Sequence, residues 1–173
     1  LDKAEKVILE NEKLKKFHPL HDALDTFLFS TNKQTDKAPY VRDSIDLKRT
    51  MIMVVLALLP AFFFGTYNVG LQSPEVIDKT LLNCFMYGFE IVLPMYLIVF
   101  AIGGLCEALF AVARGHEINE GFLVTGFLIP LTMPPTVPLW MLAVATIFGV
   151  VIGKEIFGGT GYNIFNPALT TRA

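Results

Sequence analysis

The sequence predicts an all-α integral membrane protein, a multi-helix bundle with broken or re-entrant helices that follows amphipathic N-terminal helices. Hydrophobic residues make up 53% of the 173 residues, with 15 Phe, and charged residues make up only 17%, against about 25% in typical soluble domains. Most charged residues precede residue 50, and apolar runs long enough to cross a bilayer follow. The net charge of -2 leaves no basic surface for nucleic acid.

Residues 1–49 are predicted to be a cytoplasmic amphipathic segment. Apolar side chains recur there at helical spacing through residue 30, with lysine and glutamate on the other faces. The His18-Pro19 pair is predicted to divide the segment into two helices, because a proline disfavours the helical conformation of the residue before it. Such helices lie on lipid headgroups or dock on a partner. A solvated helix that packs on its own domain is an equal alternative.

Two membrane spans are predicted next, at about residues 50–69 and 85–113. Twenty helical residues cover roughly 30 Å, which is enough to cross a bilayer. Pro60 is expected to kink the first span, and the second is long enough to tilt. Positive charge favours a cytoplasmic N-terminus and a cytoplasmic segment 114–120: Arg42, Lys48 and Arg49 precede the first span and Arg114 follows the second, against Lys79 alone between them.

The next part of the chain predicts a broken helix. Residues 121–133 are apolar but cover only roughly 20 Å as a helix, too short to span a bilayer squarely. An apolar return helix is predicted at about 139–153, after prolines that cannot share one continuous helix, namely Pro130, Pro134, Pro135 and Pro138. Irregular backbone is tolerated at membrane depth only when it is buried in protein or lines a cavity.

A glycine-rich turn at residues 158–161 precedes the pair Asn166-Pro167. Asparagine followed by proline is typical of an N-cap and first helical residue, so a half-helix is predicted from Pro167. Its free N–H groups and positive dipole end would attract electron-rich or anionic groups. Asn163 and Asn166 add amide groups suited to the edge of a heterocycle. A plain capped turn is the alternative, which the residues alone favour modestly.

Glu107 lies inside the second predicted span, seven residues before Arg114 and so about 10 Å along the helix from the boundary. A carboxylate at that depth costs several kcal/mol unless it is paired, and it marks an ion or substrate path by default. Gly103, one turn earlier, leaves space beside it. The alternatives are glycines that pack helices and a glutamate paired with a neighbouring cation.

Two cysteines and three histidines suggest no metal site. Cys84 and Cys106 lack CxxC or histidine-paired spacing and are expected to be buried thiols without a disulfide. The histidines have no partners at ligand spacing and are expected to be solvated or capping. Phe148 is, by default, a packing residue.

Several strings resemble the B-subunit family of the sodium-translocating NADH:quinone oxidoreductases. They are VRDSIDLKR (41–49), PAFFFGTYNVGLQ (60–72), EINEGF (117–122), PPTVPLW (134–140) and GKEIFGGTGYNIFNPAL (153–169). The loop after Gln72 is shorter than in many members. The D subunits of the related Rnf complexes share the membrane fold but lack the N-terminal extension and the first string. The resemblance implies a urea-channel-like fold with inverted repeats, of which the membrane domain, residues 50–173, would hold only the first.

The resemblance also implies a function. Such a complex has six subunits in the bacterial inner membrane, passes electrons from NADH through flavins and iron–sulfur centres to quinone, and pumps sodium. Riboflavin binding is implied for Asn163 and Asn166, quinone binding for Gly103 and Gly104, and sodium movement for Glu107 and Phe148. A covalently bound FMN is implied on a threonine beyond residue 173, so it is not assigned to Thr170 or Thr171. A passive channel and a scaffold are the alternative functions.

Overall fold

The computed structural model describes residues 47–114 and 121–173. The helices of the described residues are α1 (Leu47–Gln72), α2 (Leu81–Arg114), α3 (Gly121–Thr132), α4 (Leu139–Val151) and α5 (Pro167–Arg172), with a 3-10 turn at Glu155–Phe157. This arrangement confirms the predicted all-α fold. The amphipathic helices predicted before residue 47 lie outside the described residues, as does the segment 115–120.

Three helical segments are long and apolar enough to cross a membrane: Arg49–Gln72, Leu81–Arg114 and Leu139–Phe157. The α2 helix has 34 residues and is therefore roughly 51 Å long, which exceeds the hydrocarbon core of a bilayer. Helices α1 and α2 extend beyond the predicted spans because the residues that flank each span, polar and apolar, stay helical. Both continue through an internal proline, Pro60 in α1 and Pro94 in α2, and the kink at Pro60 stays a prediction.

The predicted break lies between α3 and α4. The α3 helix has 12 residues, roughly 18 Å, and the proline-rich residues 133–138 separate it from α4. Pro138 is the N-cap of α4, with φ -59° and ψ 135°, an extended conformation that cannot continue a helix from α3. The likeness to urea channels and the inverted repeat stay predictions.

The long α2 helix is the centre of the bundle and packs against α1, α3 and α4, while α5 packs against α3 and α4. The buried core takes residues from four helices: Met95 and Val99 of α2, Ile129 of α3, Leu142 of α4 and Ala168 of α5. Many large apolar side chains point outward instead, among them Leu56, Phe64, Leu97, Leu109 and Trp140. An apolar exterior around spans of this length makes the chain a membrane protein.

Two glycines let α1 and α2 approach each other closely. A Cβ atom at Gly70 would overlap the backbone carbonyl of Cys84, and one at Gly88 would overlap that of Thr66. Since the obstructing atoms belong to the backbone, a side-chain rotation cannot relieve the overlap. Small residues at helix crossings are how membrane helices bring their backbones into contact.

We expect Gly70→Ala to destabilise the fold by about 1–3 kcal/mol, the usual cost of forcing extra volume into a packed interface. Gly65→Ala is the matched control on the same helix, because its Cβ atom would lie 3.9 Å from a Leu131 methyl group, an ordinary contact. Thermal unfolding of the full-length protein in detergent measures both. Equal melting temperatures for the two variants would contradict the close crossing.

Candidate functional site

The structure brings three charged side chains together inside the helix bundle. Glu107 of α2 is 4% exposed, Lys154 is 2% exposed and Glu155 is 1% exposed. The Lys154 ammonium pairs directly with Oε1 of Glu107, and its Nζ lies 3.6 Å from Oε1 of Glu155. One ammonium therefore lies between two buried carboxylates that are 48 residues apart in the sequence. We call these three residues the charged cluster.

The end of α4 positions Lys154 and Glu155. Lys154 continues the helical hydrogen bonding beyond Val151 by donating its N–H to the carbonyl of Val150 at 3.2 Å. The chain then turns sharply, as Gly158 N–H donates to the Glu155 carbonyl and Gly159 N–H donates to the Lys154 carbonyl.

The turn depends on its predicted glycines. Gly158, Gly159 and Gly161 have φ of 127°, 89° and 92°, a left-handed region that side chains rarely adopt. The glycine-rich string therefore folds the chain back beside α2 and holds the charged cluster inside the bundle.

Arg114, the last residue of α2, fastens this turn to α2. Its guanidinium donates to the backbone carbonyls of Glu155 and Ile156, the latter at 3.3 Å, and lies 5.3 Å from the centre of the Phe110 ring. Arg114 is exposed, and both of these hydrogen bonds go to backbone carbonyls. The buried cation beside the two carboxylates is Lys154.

Burying charges costs several kcal/mol per ion, and the cost is offset only by close pairing. The sequence predicted Glu107 as a buried carboxylate and left open a neighbouring cation. That cation is Lys154, so the alternative in which Glu107 pairs with a neighbouring cation is confirmed for the pairing itself. The role of Glu107 in an ion path stays a prediction. Sequence reasoning missed Lys154 and Glu155, which read as the polar end of the return helix. The available signal was the position of Lys154 and Glu155 directly after the predicted return helix, as charged residues that follow an apolar run.

The two glycines predicted to bind quinone differ in their surroundings. A Cβ atom at Gly103 would lie 2.6 Å from ring atoms of Phe122 and 3.3 Å from the methyl group of Thr146, whereas one at Gly104 would lie 3.7 Å from the Phe122 ring. Phe122 packs edge-on against Phe100, with ring centres 5.9 Å apart. Gly103 is thus needed for packing, as the packing alternative expects, and Gly104 is half-exposed beside an aromatic wall.

Asn166 is the predicted N-cap of α5. Its Oδ1 accepts hydrogen bonds from the N–H groups of Ala168 at 3.0 Å and Leu169 at 3.3 Å. The cap and the helix start at Pro167 are therefore confirmed. The expectation of free N–H groups at this end is wrong, because the Asn166 side chain already occupies two of them, and α5 has only six residues. Nδ2 of Asn163 donates to the Phe165 carbonyl at 3.0 Å.

Phe148 does not join the charged cluster. It is 54% exposed on α4 and lines an open groove of about 600 Å³. The groove is mostly apolar, and Trp140, Val144 and the residues from Thr170 to Ala173 also line it. Phe148 thus faces away from the core rather than serving there as a packing residue.

The remaining candidates are ordinary. Hydroxyls of Thr170 and Thr171 donate to the carbonyls of Asn166 at 2.9 Å and Pro167 at 2.7 Å, and so contact the backbone of their own helix. Cys84 is a buried free thiol and Cys106 a half-buried one. Within residues 47–114 and 121–173, no three His, Cys, Asp or Glu side chains are grouped as they would be around a metal ion.

Known proteins resemble this chain over most of its length. The model of the NQR2, RnfD, RnfE family matches residues 34–173. A protein of Pseudomonas paraeruginosa, named as the B subunit of a Na(+)-translocating NADH-quinone reductase, is 45% identical over 198 aligned residues, which cover 100% of this chain and 49% of that protein. The protein of the same name from Chromohalobacter salexigens is 47% identical over 196 residues, with 100% and 48% covered.

A third relative matches the chain to a similar degree. The one of that name from Chlamydia pneumoniae is 44% identical over 191 residues, which cover 96% of this chain and 38% of that protein. The chain therefore spans about half, or less, of the length of these relatives. Since the family model covers most of the chain and includes the whole charged cluster, the chain belongs to the NQR2, RnfD, RnfE family.

Proposed function

We propose that this chain is part of the B subunit of a sodium-pumping respiratory NADH:quinone oxidoreductase and contributes to its sodium path, quinone pocket and flavin site. The observation that carries the proposal is the buried Glu107, paired with Lys154 among apolar helices. Ionisable groups at membrane depth are costly and mark ion pathways. The names of the relatives from Pseudomonas and Chromohalobacter support the same function.

Glu107 would serve the sodium path as an oxygen ligand. Hard cations such as sodium bind carboxylate and carbonyl oxygens. The contact of Glu107 with the Lys154 ammonium supports a cation-binding role for its carboxylate. Phe148 would act separately, at the groove on α4, where an aromatic ring could restrict access.

The quinone would bind beside Gly104. Phe122, Phe100 and Tyr96 form a row of aromatic rings there, with centres 5.9 Å and 6.4 Å apart. Aromatic rings stack favourably on a flat ring such as a quinone head group. Gly104 leaves the face of α2 open next to this row, whereas the space at Gly103 is already taken by Phe122.

The two asparagines fit a flavin edge. Asn163 uses its amide nitrogen within its own turn and Asn166 uses its carbonyl oxygen as the cap. The Asn163 oxygen is left as an acceptor, and the Asn166 amide nitrogen is left as a donor. Both residues are exposed, and an isoalloxazine edge carries alternating donors and acceptors that these groups could bind. Bound riboflavin would supply electron transfer, and exposed Tyr162 and Phe165 would offer flat surfaces against it. The covalent FMN would lie on a threonine beyond residue 173.

The membrane would be a bacterial inner membrane, with the N-terminus and the charged cluster nearer the cytoplasmic side. The charge asymmetry around the spans supports this orientation. Partners would be the other subunits of a six-subunit complex. Helix α1 offers the other subunits a surface, since only 6% of its most apolar stretch is buried against the rest of the described chain.

A passive channel is the second candidate, which the broken helix and the groove on α4 favour. An absorption spectrum of the purified full-length protein separates the two, because a channel should carry no flavin. The D subunit of an Rnf complex is less favoured, because the relatives named above are NADH-quinone reductase subunits.

We expect Glu107→Ala to raise the apparent KM for sodium by about tenfold, equivalent to about 1.4 kcal/mol, and to lower sodium-dependent turnover. Glu90→Ala is the control, since Glu90 is exposed on the same helix. Quinone reduction by the assembled complex is measured over a range of sodium concentrations. An unchanged sodium dependence in Glu107→Ala would remove this residue from the path.

Gly104→Leu should slow quinone reduction on the order of tenfold or more by filling the space beside Phe122, while NADH still reduces the flavins. Gly104→Ala is the control, because its Cβ atom would make only an ordinary 3.7 Å contact. Rapid-mixing absorbance follows the two steps separately. Should flavin reduction fail together with quinone reduction, Gly104 serves assembly instead.

Asn166→Ser should lose riboflavin but keep the fold, because serine caps a helix about as well as asparagine, within about 0.5 kcal/mol, yet has no amide nitrogen. Asn163→Ala should also lose riboflavin. Extraction and fluorescence quantify the flavin, and thermal unfolding checks the fold. Full flavin content in Asn166→Ser would reduce Asn166 to a helix cap.

A further inference from the structure

Glu155 is the least satisfied group of the charged cluster. Its residue is 1% exposed, and its Oε1 is completely buried yet accepts no hydrogen bond. A buried carboxylate oxygen without a donor costs several kcal/mol, more than a neutral polar atom in the same position. Native proteins rarely leave such an atom unexplained, and an ion that binds there is one of the few explanations.

Lys154 does not satisfy this oxygen. Its Nζ contacts Oε1 of Glu107 directly and lies 3.6 Å from Oε1 of Glu155, beyond hydrogen-bonding distance. Arg114 does not either, because its bonds in this turn go to the backbone carbonyls of Glu155 and Ile156. Oε1 of Glu155 is therefore ion-paired with Lys154 at 3.6 Å but accepts no hydrogen bond.

Glu155 lies just before the glycine-rich turn. A Cβ atom at Gly159 would lie 3.8 Å from both carboxylate oxygens, so the buried Gly159 lies directly beside the carboxylate. Thr160 follows in the same turn, and its Oγ1 is a second buried oxygen without a hydrogen bond. Two unpartnered oxygens in one glycine-rich loop are the ligand type of a hard cation.

We propose that Glu155 is a ligand of a monovalent cation, sodium in the working protein, and that Lys154 is a tethered ammonium competing with it between Glu155 and Glu107. With the ammonium on Glu107, the ion on Glu155 neutralises the second carboxylate. An incoming ion that binds Glu107 would move the ammonium towards Glu155 and weaken binding there. This inference rests on the proposed sodium path and adds to it the next residue that the ion meets.

A proton could neutralise Glu155 in the same way, but a cation accounts for more of the structure. A protonated carboxyl group needs an acceptor for its O–H, and Oε1 of Glu155 has no hydrogen-bond partner to serve as one. A sodium ion takes carboxylate and hydroxyl oxygens alike as ligands and needs no hydrogen-bond direction.

Glu155→Gln tests the proposal in the assembled full-length complex. Its amide has nearly the same shape but no charge, so we expect the Kd for sodium to rise about tenfold or more. Binding of radioactive sodium is measured at equilibrium without NADH or quinone, so that the result does not depend on redox activity. Glu90→Gln is the matched control, and its sodium Kd should equal that of the unmodified protein.

The outcomes separate the two proposals. An assembled Glu155→Gln complex with an unchanged sodium Kd overturns the cation site, even if sodium still stimulates quinone reduction. An infrared band of a protonated carboxyl group that is lost in Glu155→Gln and insensitive to sodium also overturns it, in favour of a proton. If quinone reduction by the unmodified complex ignores sodium while Glu155→Gln weakens binding, the pump function fails and the cation site stands.

If the Glu155→Gln complex does not assemble, the Glu155→Asp variant tests the proposal instead. The aspartate keeps the charge but retracts it by about one carbon–carbon bond, roughly 1.5 Å. We expect the sodium Kd to shift by threefold or more, with a changed preference between lithium and sodium. An assembled Glu155→Asp complex with the same Kd and the same preference overturns the proposal.

Discussion

The contact between Glu107 and Lys154 is the constraint on which the rest of this structure depends. Neither charge can be buried alone among apolar helices, since removing one partner of a buried pair costs about 3–5 kcal/mol. The pair thus fixes the end of α4 against α2. The glycine-rich turn, the arginine that fastens it and the start of α5 all follow from where Lys154 must lie.

Much of the fold could be predicted because each membrane-spanning helix is encoded by one continuous apolar run of the sequence. Helices α1 to α4 coincide with apolar runs, and prolines mark the break between α3 and α4. The cap at Asn166 could be predicted for the same reason, since a cap depends on the next three residues. What the cap does to the helix N-terminus was missed, because one side chain both starts the helix and occupies its N–H groups.

Single residues of the site could be predicted from the sequence, but their contacts with one another could not. Glu107 stands out as a charge within an apolar run, whereas its partner lies 47 residues later, at the end of another helix, where a lysine is common. Gly103 and Gly104 look alike in the sequence, and only the position of Phe122 separates a packing glycine from an open one. Pairings of this kind arise from tertiary structure, which periodicity does not encode.

The crossing of α1 and α2 has a consequence for how such a molecule can move. Where two main chains touch without side chains between them, at Gly70 and Gly88, rotamer changes cannot let one helix slide along the other. Helices α1 and α2 therefore form a pair that stays fixed relative to each other. Movement within the bundle therefore has to come from the shorter helices α3, α4 and α5, relative to this pair.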